Sequence, residues 1–392
     1  MRLPVLRTPR LRSAAVPFAA NGVLYGTWAA RIPEVQARSG LTEGELGLAL
    51  LFAAVGLVLS ASGAGALVAR FGAHRVTLGA LAVFAAVVVS PGLAVGFASL
   101  SGALLLVGLA SGLLDVSMNA HAADVEAASG TTILGSCHGL FSLGMMAGAG
   151  LGALAARLGL PLAIHFALGG VVFAGAALVQ GWRAAVPHRA RAGEAGPLVA
   201  LPVGPVAGLA ALACFGLVIE GAMADWSAVF LRDRLAATEA VAALGVAAFS
   251  GSMAAARFAS DALTERIGDA RLVGLGALVA AAGLGVCILA PVAALAVAGF
   301  GVVGLGLAAV VPALFRAASK APGRAAGQGI AAVTSTGYLG FLAGPPVIGL
   351  VAEGAGLRVA FGLLVVLAAL LAVGAAPAFR RARRGAGASA PV

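Results

Sequence analysis

The chain has 392 residues, 61% of them hydrophobic and only 10% charged, with a formal net charge of +10 and a mean hydropathy of +1.05. A soluble domain carries about a quarter charged residues, so this composition excludes a water-soluble globular protein and points to a bilayer, where a helix needs roughly 20 apolar residues to cross. Nucleic acid is excluded as a partner by where the basic residues sit: in short clusters between apolar spans, with no aromatic-interleaved basic run.

The N-terminus is basic through Arg12 and runs into an apolar stretch containing Tyr25, Trp28 and Arg31. That stretch has no clear cleavage site and reads as a retained first helix. Twelve apolar spans follow in order, at 14–37, 44–69, 76–96, 99–121, 132–156, 161–181, 205–230, 241–264, 271–290, 293–315, 328–352 and 357–378. Helix is the expected state of each, since a helix satisfies its own backbone in lipid. Thr42-x-x-Glu45 reads as a capping box opening the second span. The expected fold class is an all-α membrane protein of twelve transmembrane helices. It divides into an N-terminal six-helix bundle (1–181), a basic cytoplasmic linker (182–204) and a C-terminal six-helix bundle with a basic tail (205–392).

Charge bias orients these spans. With the N-terminus inside, 18 basic residues fall in cytoplasmic segments and 5 outside, with Arg31 and Arg257 within spans. That excess places both termini in the cytoplasm, and a bacterial inner membrane is the expected location.

The chain also repeats itself. Gly65-Ala-Leu-Val-Ala69-Arg70-Phe-Gly72-Ala-His-Arg75 reappears 196 residues on as Asp261-Ala-Leu-Thr-Glu265-Arg266-Ile-Gly268-Asp-Ala-Arg271. Leu143-Gly144-x-x-Ala147-Gly148 and Leu339-Gly340-x-x-Ala343-Gly344 keep the same offset. Two repeated halves in so apolar a chain indicate a transporter. The glycines of the fifth and eleventh spans read as close-packing positions, and Pro345-Pro346 is expected to break the eleventh helix.

Ionisable residues inside spans are expensive and mark function. Asp115 lies on the fourth span with Asn119 one turn on. Glu220 lies near the middle of the seventh, with Asp225 and Trp226 about one turn beyond. Buried carboxylates can load and release a proton near neutral pH, so Glu220 and Asp115 are the candidate proton carriers. Arg31 and Asp225 sit at similar heights on the first and seventh spans and are read as an outer gate pair. Arg257 and Asp261 are read as an i,i+4 ion pair tied to the second loop. Asn21, Tyr25 and Trp28 share one helical face. With His138, Ser142, Asn119, Trp226 and Tyr338 they form the candidate binding set for a sugar-like or other small polar solute. No metal or cofactor is expected: Cys137, Cys214 and Cys287 lie in apolar spans without paired spacing, and no phosphate-binding Gly-Lys-Ser/Thr loop is present. Nothing suggests an enzyme, and a monomer is expected.

The doubled loop between the second and third spans, and again between the eighth and ninth, resembles the signature of the major facilitator superfamily. The resemblance covers the whole chain. It implies two six-helix bundles rocking about one midplane site, and a cytoplasmic latch made by Arg70, Arg75, Glu265 and Arg266. Ala69 stands where the family has an acid in the first copy, so the second half is expected to carry most of that latch. Trp28-Ala-Ala-Arg31-Ile-Pro33, Asp115-Val-Ser-Met-Asn119, Gly135-Ser-Cys-His138-Gly-Leu-Phe-Ser142 and Glu220-Gly-Ala-Met-Ala-Asp225-Trp226 are similar to the MosC/YbjJ-like bacterial branch. That branch is more distantly similar to fucose-permease-type sugar/proton symporters, in which an acid on the fourth helix takes part in proton coupling; by helix position, not by exact motif, that acid maps to Asp115. The expectation is a proton-coupled secondary transporter of a sugar- or inositol-like solute. Proton-driven export of a drug or metabolite is the alternative, and a non-transporting sensor or assembly partner a second one.

Overall fold

The computed structural model describes residues 7–183, 202–321 and 326–384, and every regular element among them is helical. Most of the expected basic linker and the end of the basic tail lie outside the described residues.

Fifteen helices run in chain order: α1 (Pro9–Ala29), α2 (Ile32–Ser39), α3 (Glu43–Phe71), α4 (Ala73–Val87), α5 (Phe97–Ser129), α6 (Leu134–Arg157), α7 (Leu162–Gly169), α8 (Gly175–Arg183), α9 (Ala207–Leu235), α10 (Glu239–Ile267), α11 (Asp269–Leu289), α12 (Ala293–Leu307), α13 (Val310–Ser319), α14 (Ala326–Ala355) and α15 (Leu357–Arg384). Two pairs make single spans: α7 continues into α8 through a π turn at Gly170–Ala174, and α12 into α13. Among the described residues, 11 segments are long and apolar enough to cross a membrane. The first expected span is the exception. Its helix, α1, begins before that span and holds Arg10, Arg12, Asn21 and Tyr25, yet 15 of the 21 residues of α1 are buried inside the bundle. A helix that meets little lipid tolerates a polar face. The chain then bends at Arg31, and α2 is a separate short helix with Pro33 in its first turn.

Local signals in the sequence account for the helix ends. Thr42 and Glu45 form the expected capping box on α3, with Thr42 Oγ1 accepting from Glu45 N–H at 3.2 Å and Glu45 Oε2 from Thr42 N–H at 3.0 Å. The repeated loop is one turn made twice. Gly72 has φ 85° and Gly268 φ 79°, a region open to glycine and costly for other residues. Each N–H caps the preceding helix, on Val68 O and Thr264 O. By contrast, Pro345-Pro346 does not break its helix: α14 runs unbroken from Ala326 to Ala355. Neighbouring helices can hold a proline-containing transmembrane helix in register, and the Pro345 carbonyl packs on Gly47 of α3.

The two halves pack by the same plan. In the first, α3 lies along α5 and α1 along α6; in the second, α10 lies along α12 and α9 along α14. Glycine makes the α1–α6 seam possible. Gly22 and Gly26 rest on the backbone at Phe141 and Met145, while Gly144 and Gly148 rest on Ala19 and Val23. A separate polar staple ties α1, α4, α5 and α8. Ser13 Oγ donates to Arg10 O at 2.7 Å and lies 3.1 Å from His121 Nε2, which is 3.2 Å from His74 Nδ1; His74 Nε2 faces Gly181 O at 3.2 Å. Across the halves, α6 packs on α10 and α3 on α14.

Candidate functional site

A cavity of about 260 Å³ lies between the two halves. The first half contributes α1, α3, α5 and α6 to its wall, the second α9, α10 and α14. Asn21, Tyr25 and Trp28 face it from α1, one helical turn apart, as their spacing requires. His138 and Ser142 face it from α6, Asp115 from α5 and Tyr338 from α14. Glu220, Asp225 and Arg257 complete its polar lining from α9 and α10. Asn119 stands behind Asp115, its amide donating to Asp115 Oδ1 at 3.2 Å and to the Asp115 carbonyl at 2.8 Å.

The charged groups take partners that their spacing did not suggest. Arg257 turns away from its own helix. Its NH2 donates to Glu220 Oε1 at 3.1 Å and its NH1 to Ser142 Oγ at 2.7 Å. This pairing runs across α10, α9 and α6; the side chain of Asp261, the expected i,i+4 partner, lies outside the described residues. Glu220 is therefore not an isolated carboxylate but one arm of an ion pair facing the cavity. Arg31 and Asp225 do not pair. Arg31 initiates α2 at the chain bend, which sends its guanidinium back into the first half. There it meets Glu34 Oε2 at 2.6 Å, Leu160 O at 3.0 Å and His165 Nδ1 at 3.4 Å. Asp225 instead accepts from Tyr25 Oη at 3.4 Å, a hydrogen bond that joins the halves.

Trp226 is fully enclosed and does not line the cavity. One residue on a helix is a rotation of about 100°, so the turn that aims Asp225 at the cavity aims Trp226 away from it. None of the loop charges Arg70, Arg75, Glu265 and Arg266 lines the cavity. Arg70 is exposed, over the Phe71 ring at 5.1 Å, and Arg75, Glu265 and Arg266 are exposed. An ion pair at the second loop brings in a residue from outside the repeat: Arg316 of α13 donates to Asp269 Oδ1 at 2.8 Å and to Thr264 Oγ1 at 3.1 Å. It joins the second loop to α13, the half in which the loop kept its acid.

The sequence reading missed much of the apolar wall. Met118, Met145, Phe249, Met253 and Phe341 line the cavity with Ser111 and Ser250. It also missed Arg232, which reads as an ordinary basic residue at a helix end. The available signal was its spacing: Arg232 is seven residues beyond Asp225, two turns along one face of α9.

No group of three or more metal-ligating side chains occurs among the described residues. The site has the character of a reception pocket: aromatic and apolar walls, hydroxyls and amides, three carboxylates and one guanidinium, shared between two repeated halves.

Comparison with known proteins agrees with this architecture. Residues 208–392 match the sequence model of the Major Facilitator Superfamily. The transporter y4wD of Sinorhizobium fredii is 35% identical over 368 residues, covering 92% of this chain and 96% of that one. A transporter of Yersinia pestis described as MFS-type is 35% identical over 369 residues, covering 93% and 94%. The membrane protein MosC of Rhizobium meliloti is 31% identical over 372 residues, covering 92% and 88%. Among solved structures, the nucleoside transporter NupG superposes with a TM-score of 0.72 at 14% identity, covering 95% of this chain and 99% of that one. A bacterial homologue of the human lysosomal transporter Spinster, in an inward-facing, occupied conformation, superposes with a TM-score of 0.70 at 16% identity, covering 94% and 96%. On full-length relatives, a shared fold and a site built between two repeats, the chain belongs to the major facilitator superfamily and is a secondary membrane transporter working by alternating access, not an enzyme.

Proposed function

We propose that the protein carries a small polar solute of the sugar or inositol class across a bacterial inner membrane, coupled to protons, with both termini in the cytoplasm and a monomer as the working unit. The halves at 1–181 and 205–392 are the rocking bodies in this reading. The observation that carries it is the cavity itself, to which both repeats contribute polar groups. A ligand held there touches both moving bodies, which is what alternating access requires. Asn21, Tyr25, Trp28, His138 and Tyr338 offer the mixture of aromatic faces and hydrogen-bonding groups that suits a polyol ring. Asp115 has an amide neighbour rather than a cation in the described contacts, which suits it to carry a proton. Glu220 can do so whenever Arg257 is drawn to the solute. The methionine and phenylalanine wall supports a second reading, export of a less polar metabolite or drug.

A thermal-shift screen of the purified protein separates the two readings. Ligand at a hundred times its Kd stabilises the native state by about 2.7 kcal/mol. A rise in apparent Tm with sugars or inositols, absent with apolar drugs, is expected. Stabilisation by apolar compounds alone would overturn the polar-solute reading.

A further inference from the structure

One end of the bundle carries α2, and there the halves meet around an arginine. Arg232, on the last turn of α9, reaches into the other half, its NH1 donating to the carbonyl oxygen of Pro33 and its NH2 to Gln36 Oε1 at 2.7 Å. Its own helix holds it in place: NH2 also donates to Asp233 Oδ2 at 2.9 Å, and Nε to Asp233 Oδ1. Arg232 lies two turns beyond Asp225, so the Tyr25–Asp225 bond and the Arg232 contacts cross between the halves along one face of α9. The same end is closed on its far side by backbone contact, where Gly47 of α3 meets Gly349 of α14 and a Cβ on either would collide with the other helix. At the opposite end, α5 and α13 make no comparable contact with the other half among the described residues.

A second acceptor stands close by. Glu239, in the first turn of α10 and in the same half as Arg232, lies within electrostatic reach of Arg232, Arg31, Glu34 and Asp233. Its Oε2 is buried with no hydrogen-bond partner. In this closed arrangement Arg232 thus gives its cross-half hydrogen bonds to two neutral acceptors, while a carboxylate oxygen of its own half goes unused. Neutral acceptors hold a guanidinium less tightly than carboxylates do, which suits a contact that must open in every cycle.

We propose that Arg232 is the latch of this face. It holds the cavity shut through Pro33 and Gln36, and on opening it exchanges them for Glu239. The assignment needs only the alternating-access cycle and is independent of which solute is carried and which face is cytoplasmic.

Pulsed electron-spin distance measurements on the full-length protein test it, with Cys137, Cys214 and Cys287 replaced by alanine. One label pair, at Arg38→Cys and Leu244→Cys, reads the α2 face; a second, at Leu67→Cys and Leu263→Cys, reads the opposite end. Arg232→Ala removes charge-assisted hydrogen bonds, so the ratio of open to closed at the α2 face is expected to rise about tenfold. The opposite pair should draw together at the same time. Gln36→Ala is expected to act in the same direction but less. Glu239→Gln should shift the population towards closed. Distances unchanged in Arg232→Ala would overturn the latch. Broadening of both pairs together would also overturn it, since that is the signature of a loosened fold. A population unmoved by Glu239→Gln would overturn the exchange.

Discussion

Glu220→Gln is expected to abolish proton-driven net uptake while leaving solute exchange across the membrane largely intact. The substitution keeps the shape of the side chain and a hydrogen-bond acceptor for Arg257, but it can no longer gain and lose a proton. Exchange needs only loaded rocking of the halves, whereas net uptake needs a carrier that returns empty after releasing its proton. Arg257→Ala should be more severe and should stop both. It strands Glu220 in a cavity where both partners are largely shielded, with side-chain exposures of 12% and 21%. Removing one partner of such a pair costs about 3–5 kcal/mol of stability when it is fully buried; even half of that is a large share of the net stability of a fold. The double variant Glu220→Gln/Arg257→Gln should recover stability without recovering transport, because the stranded charge is gone and the coupling group is still missing. Net uptake and counterflow measured side by side in proteoliposomes read all three variants. Wild-type net uptake in Glu220→Gln would remove Glu220 from the coupling machinery.

Gly148→Ala and Gly150→Ala, two residues apart on α6, should behave oppositely. A Cβ at 148 comes closer than 3.0 Å to Val23 O, Val23 C and Thr27 N, all backbone atoms of α1 that cannot step aside singly. A Cβ at 150 meets nothing within 4 Å. Overpacking costs about 1–3 kcal/mol, and here it also shifts the helix that presents Asn21, Tyr25 and Trp28. Gly148→Ala should therefore lower the apparent Tm by several degrees and impair transport, and Gly148→Leu should remove the folded protein from the membrane fraction. Gly150→Ala should match or exceed the parent, since alanine is favoured over glycine in a helix by up to about 1 kcal/mol. Equal Tm values for the two alanine variants would show that the α1–α6 seam is looser than its geometry implies.

Apolarity and helix-end chemistry made the scaffold legible in the sequence. The start of α3 follows from Thr42 and Glu45, and the two turns at Gly72 and Gly268 follow from one motif written twice. The close-packed faces of α6 follow from glycines at four-residue spacing. Helical spacing also placed Asn21, Tyr25 and Trp28 on one surface, and the cost of intramembrane charge picked out Asp115, Glu220, Asp225 and Arg257, all of which face the cavity. What spacing cannot reveal is the neighbour across a helix interface. Arg257 and Asp261 share a face of α10, but α9 brings Glu220 to that face, and nothing in the local sequence records it. Arg31 was matched to Asp225 by height alone, and a bend at one residue redirected it. Arg232 and Gln36 meet across 196 positions of sequence; the spacing that sets Arg232 on the Asp225 face of α9 does not name its partner.

The central claim, a solute site whose carboxylates move a proton with each transport event, is tested most directly by watching the proton. Proteoliposomes loaded with a pH-sensitive dye and held without a pH gradient receive a solute that stabilises the protein. The account predicts lumenal acidification as solute enters, abolished in Asp115→Asn. Accumulation of solute at unchanged lumenal pH would contradict it.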